Sequence, residues 1–150
     1  MHFHRARLIP WAIVGALLAP IACNDATGPD DPVEGAALLL PFVSSVSLIE
    51  LSPQPRAGQP FELTVNTFGF DGCWIRARTD VSVSKRGTIV TPYNRSLAAT
   101  GTACTQALAR IPHRVTLVVP APGEHRLTVR GTDYETREPS VIRLTITVLP

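Results

Sequence analysis

Cys73-Trp74-Ile75-Arg76-Ala77-Arg78-Thr79-Asp80-Val81-Ser82-Val83-Ser84 alternates between two kinds of residue without a break. A period of two belongs to a strand with one packed and one wet face, because successive side chains point to opposite sides of a sheet. Cys73, Ile75, Ala77, Thr79, Val81 and Val83 share one face. Trp74, Arg76, Arg78, Asp80, Ser82 and Ser84 share the other. Lys85-Arg86-Gly87 then turns the chain into Thr88-Ile89-Val90-Thr91, which Pro92 ends or places at a sheet edge.

The same alternation extends in both directions. Upstream, Val46 and Leu48 begin a first strand, with Leu51 shifted by a bulge. Ser52-Pro53-Gln54-Pro55 and Ala57-Gly58-Gln59-Pro60 form a turn. Phe61, Leu63 and Val65 oppose Glu62, Thr64 and Asn66, and Phe68-Gly69-Phe70-Asp71-Gly72 reads as a loop. Downstream, a loop through Ser96–Ala109 carries Cys104. Val115, Leu117 and Val119 form an inward row. Pro120-Ala121-Pro122-Gly123 turns the chain, and Leu127 and Val129 alternate with Arg126, Thr128 and Arg130. Ile142, Leu144, Ile146 and Val148 alternate with Arg143, Thr145 and Thr147. The pattern predicts seven antiparallel strands over residues 43–150 and no amphipathic helix of ordinary length.

Composition agrees. A chain of 150 residues makes one small domain, and 17% charged residues exclude a disordered polyelectrolyte. Nine aromatic residues and a net charge of +2 leave no clustered basic face, so no nucleic-acid partner is expected.

The N-terminus is a separate segment. Arg5 and Arg7 precede Leu8–Ala22, an uncharged apolar run too short to span a bilayer comfortably. It reads as a secretory signal peptide over 1–22, the competing reading being an uncleaved anchor. Ile21-Ala22-Cys23, followed by polar Asn24-Asp25, resembles the lipobox of bacterial lipoproteins, although Pro20 stands where Leu is usual. The resemblance implies diacylglyceryl transfer to the Cys23 thiol and a lipid-anchored mature protein. It places the chain in the cell envelope, on the outer membrane or cell surface where there are two membranes. Residues 23–42 follow as the acylated Cys and a flexible tether. Within it, Asn24–Gly35 is rich in Gly, Pro and Asp, and 36–43 is open between a strand, a helical turn and an apolar flap. Loss of Arg5 and Arg7 leaves twelve basic against twelve acidic residues, with an acidic tether and a basic domain.

Two segments resemble bacterial immunoglobulin-like modules. Ser52–Phe61 is similar to their first-to-second strand turn, and Pro122-Gly123-Glu124-His125-Arg126-Leu127 to their penultimate strand, with His125 in place of the usual Tyr. The resemblance implies an all-β, seven-stranded antiparallel Ig-like β-sandwich over 43–150.

With Cys23 assigned to lipid, Cys73 and Cys104 remain, and an exported chain favours their disulfide. Neither lies in a CxxC, so a redox or metal-binding pair is not expected. Only His113 and His125 survive processing; His125 falls on an inward row and His113 at a strand edge. There is no G-x-S-x-G nucleophile elbow. Asp133, Glu135 and Glu138 crowd a hairpin loop that matches no calcium motif. No enzyme, metal or cofactor is expected.

The best candidate binding surface is Trp74, Arg76 and Arg78 with Phe68 and Phe70, since Trp and Arg are enriched at interface hot spots. The expected function is a non-enzymatic envelope lipoprotein, an interaction or structural module at the membrane surface. The alternative is a small-ligand or glycan-binding module using the Phe68–Trp74 loop. The partners expected are the membrane, through the lipid, and an envelope protein or glycan.

Overall fold

The computed structural model describes residues 34–40, 47–84, 86–98 and 102–150. The expected signal peptide 1–22, Cys23 and tether residues 24–33 lie outside the described residues. The fold is all-β, with no helix among the described residues. Nine strands are hydrogen-bonded into one sheet: β1 (Glu34–Ala36), β2 (Leu38–Leu39), β3 (Ile49–Ser52), β4 (Pro60–Gly69), β5 (Trp74–Ser84), β6 (Gly87–Ser96), β7 (Ala109–Val118), β8 (Gly123–Asp133) and β9 (Pro139–Val148).

Two groups of neighbours organise the sheet. β4 pairs with β3 and β7, whereas β6 and β8 lie side by side flanked by β5 and β9. Both groups feed one core: Phe61, Leu63 and Val65 from β4, Val90 from β6, Leu117 from β7, Leu127 and Val129 from β8, Ile146 and Val148 from β9. These are the apolar rows of the alternating segments. Burying them stabilises the fold by roughly 1.5–3 kcal/mol per side chain.

The structure departs from the sequence reading in five places, the first being Pro92, which lies inside β6 paired with Thr79 rather than ending a strand or marking an edge. Among the described residues the strands number nine rather than seven. The extra pair, β1 and β2, falls within residues 23–42, which the sequence reading expected to be a flexible tether. Ala37, Leu38 and Leu39 are buried, Leu39 completely. The reason is a slot between β8 and β4: β2 pairs with β8 through Leu38 and Leu39 and with β4 at Phe68. Gly131 keeps the slot open, because a Cβ there would lie 2.6 Å from the Ala37 carbonyl oxygen.

Pairing is not wholly antiparallel: β6/β8 and β2/β8 run parallel. The chain leaves β6, forms β7 beside β4, and returns as β8 alongside β6 in the same direction. β5 carries a bulge between Arg76 and Arg78, and its second half overhangs the core. Val81 and Val83, read as inward, are therefore 39% and 53% exposed.

Finally, His113 is not an edge residue. It extends the inward row of Val115 and Leu117 two residues upstream, opposite Val65, and is completely buried.

An aromatic cup at one end of the sheet

The Phe68–Gly72 segment and the β8–β9 hairpin lie at the same end of the fold. Between them is a cavity of about 180 Å³ lined by Phe68, Phe70, Trp74, Ala36, Leu38 and Arg137, among others. Phe68 is buried at its base, and Phe70 is exposed at its rim. Phe70 and Trp74 meet edge to face, with centroids 5.7 Å apart and planes at 72°. Tyr134 adds a third ring, 5.9 Å from Phe70. Trp74 can close over the end of β4 because Gly69 has no side chain; a Cβ there would lie 2.2 Å from the Trp74 Cβ.

The hairpin turn sets the remaining wall. The Asp133 carboxylate accepts backbone hydrogen bonds from Thr136 and Glu135, both at 2.9 Å, and one from the Thr136 hydroxyl at 3.2 Å. The Thr136 backbone bond is foremost among the contacts that hold this carboxyl below its usual pKa. Asp133, Glu135 and Glu138 thus form a self-satisfied turn. Arg137 follows with φ of 65°, left-handed for a residue with a side chain, and its amide donates to the Asp133 carbonyl. This costs about 1–2 kcal/mol relative to glycine. In return its guanidinium lies 3.8 Å above the Phe70 ring and 5.0 Å from that of Tyr134. Strain of this kind concentrates at ligand clamps. Arg137→Gly is therefore expected to leave stability unchanged or raise it by about 1 kcal/mol while opening the cup. Thermal unfolding checks this; a loss above about 1 kcal/mol would show that the cation–ring stack outweighs the strain.

Of the residues singled out from sequence, Phe68, Phe70 and Trp74 come together in the cup, and Arg76 and Arg78 do not join them. Arg78 stacks on Tyr93 at 3.8 Å and pairs with Glu34 and Asp80. Arg76 is exposed, and its charge reaches His113. The cup's cation is instead Arg137, which the sequence reading passed over together with Tyr134. The available signal was an aromatic and an arginine flanking a tight acidic turn.

Cys73 and Cys104 are joined by a disulfide, with Cα atoms 5.4 Å apart. Asp71 sits beside them, its carboxylate accepting the Cys73 amide at 2.8 Å. These three side chains are close enough to share a metal ion, but the sulfurs are bonded to each other and are not thiolates.

Both histidines among the described residues are engaged. His113 Nε2 donates to Asn94 Oδ1 at 2.8 Å, and the Thr79 hydroxyl donates to Nδ1 at 2.8 Å. Asn94 Nδ2 donates to Thr67 Oγ1 and the Phe68 carbonyl, which orients its oxygen toward the ring. Burial, and secondarily the Arg76 charge, lower the His113 pKa from 6.5 to about 4. His125 is half-buried, with Nε2 2.9 Å from Thr88 Oγ1, and burial lowers its pKa too.

The chain matches no protein-family model, no curated protein and no solved structure.

Proposed function

We propose that the chain is a non-enzymatic, exported lipoprotein anchored at Cys23, its domain a β-sandwich of Ig-like type. In this reading it is an interaction module at the membrane surface, and the aromatic cup receives an apolar side chain of a partner protein. A concave arrangement of Phe68, Phe70 and Trp74 by shape alone favours a bound ligand over a flat protein contact; the observation that carries the protein reading is the size of that concavity, about 180 Å³. A concave, aromatic, largely apolar site with one cation at the rim resembles the anchor pockets of protein interfaces. About 180 Å³ holds one side chain and is small beside ordinary ligand pockets.

The glycan alternative uses the same rings, but a sugar needs hydrogen-bonding groups around its hydroxyls. Asn94 is already spent on Thr67, Phe68 and His113. The non-enzymatic reading is supported by the two histidines, each held in a structural hydrogen bond.

The test is made in cells fed labelled palmitate, with a photo-crosslinking amino acid at Tyr134. The wild-type chain should take up label and Cys23→Ala should not. Illumination should give one discrete protein adduct, lost when Ala36→Phe fills the cup. An unlabelled wild type refutes the anchor. An adduct indifferent to Ala36→Phe refutes the cup.

A further inference from the structure

β8 and β9 present a second feature on their outward face. Arg126 lies opposite Thr145, Thr128 opposite Arg143, and Arg130 opposite Val141. Arg143 is therefore diagonal to both Arg126 and Arg130, at roughly 7–8 Å between neighbouring positions, with threonine hydroxyls between them. Arg86, from the β5–β6 turn, joins the same face beside Arg126. All four arginines are exposed, and among the described residues none makes an ion pair. In contrast, Arg78, Arg110 and Arg114 each hold a carboxylate. Glu124 is the acidic residue bordering the cluster.

We propose that this arginine face docks on the phosphate headgroups of the anionic membrane to which the chain is tethered. Guanidinium forks match phosphate oxygens two at a time, and hydroxyls donate to the same groups. The four cations are spread over open, shallow ground, so each can meet a different phosphate. That suits a plane of headgroups better than one enclosed anion. Val141, 42% exposed among the arginines, offers an apolar contact at the headgroup boundary.

The chain between Cys23 and Glu34 sets the reach. Its eleven residue steps span at most about 40 Å, similar to the roughly 37 Å of the eleven-residue β8. An anchored domain can thus lie side-on. The inference rests on the lipid-anchor part of the proposed function.

The experiment uses the acylated protein purified from membranes and reconstituted into vesicles of phosphatidylcholine, with or without about a third phosphatidylglycerol. A spin label is placed at Val141→Cys, with a second preparation labelled at Thr116→Cys on the exposed side of β7. Anionic vesicles should cut collision of the Val141 label with a water-soluble nickel chelate about threefold or more, and leave the Thr116 label open. Roughly half-molar salt should restore collision, because it shortens the Debye length to about 4 Å. Arg126→Gln with Arg143→Gln should abolish protection, whereas Arg95→Gln with Arg114→Gln, of equal charge change, should not.

Equal loss in both double variants, or protection of both labels, would overturn the proposal. So would protection by soluble polyphosphate in phosphatidylcholine vesicles without protection by phosphatidylglycerol, which would assign the face to a soluble polyanion. A chain that carries no acyl group refutes the anchor; an anchored chain with an open Val141 label refutes the docking alone.

Discussion

Replacing Cys73 and Cys104 together by Ser is expected to cost about 3.5 kcal/mol of folding stability. The bridge closes a sequence separation of 31 residues, and the loop-entropy relation converts that length to this figure. The native contacts point the same way. Residues 102–108 contain no strand, and the bridge fastens them where Gly72 donates to the Thr105 carbonyl at 3.0 Å. Cys73 also adjoins Trp74, so the loss should loosen one wall of the cup. For a domain of this size the melting temperature should fall by roughly 10–15 °C. Thermal unfolding of the oxidised wild type and the double variant checks it. A fall of less than about 3 °C would mean that the unfolded chain is not appreciably constrained by the bridge.

Acidification should have an effect nearly as large, through His113. Its pKa is about 4 in the fold and near 6.5 when unfolded. Below pH 6.5 the unfolded chain takes up a proton that the folded chain refuses, so stability falls as pH falls. The loss accumulates from about 6.5 to about 4 and then levels off. At about 1.36 kcal/mol per unit it totals roughly 3 kcal/mol. His125, whose pKa is lowered in the same direction, adds to the slope. Urea midpoints measured between pH 7 and 4 should decline steadily in the wild type. His113→Gln should be less stable at neutral pH and show a flatter decline; an unchanged slope would show that another group carries it.

How much of this was legible beforehand depended on where water lay. Leu117, Leu127 and Ile146 could be read because each alternates with residues facing solvent, and Leu63 and Val65 because their neighbours Glu62, Thr64 and Asn66 are polar, although Thr64 and Asn66 are buried; the period of two survives in the sequence. Leu38-Leu39 could not, because a short segment slotted between β8 and β4 leaves no alternating pattern to see. Val81 and Val83 kept the period and lost the burial: periodicity names a face, not what covers it. His113 obeyed the period, and its chemistry disguised it as an edge residue.

The site divides in the same manner. Phe68, Phe70 and Trp74 are neighbours in sequence and were found together. Tyr134 and Arg137 lie some sixty residues away. They join through the pairing of β2 with both β4 and β8, which no local pattern encodes. Arg76 and Arg78 are close to Trp74 in sequence, but the bulge and Tyr93 draw Arg78 elsewhere.

The cup's claim to be an anchor pocket for a protein side chain can be tested with its own chromophore. In a chain prepared without residues 1–22, Trp74 is the sole tryptophan, so its emission reports the cup alone. Titration of that shortened chain with N-acetyl-leucinamide or N-acetyl-phenylalaninamide should shift that emission saturably, with millimolar affinity fitting so small a ligand. A chitin oligosaccharide should leave it unchanged, and Ala36→Phe should remove the response while the fold persists. No response to the capped amino acids, or a saturable one to the oligosaccharide, would contradict the account.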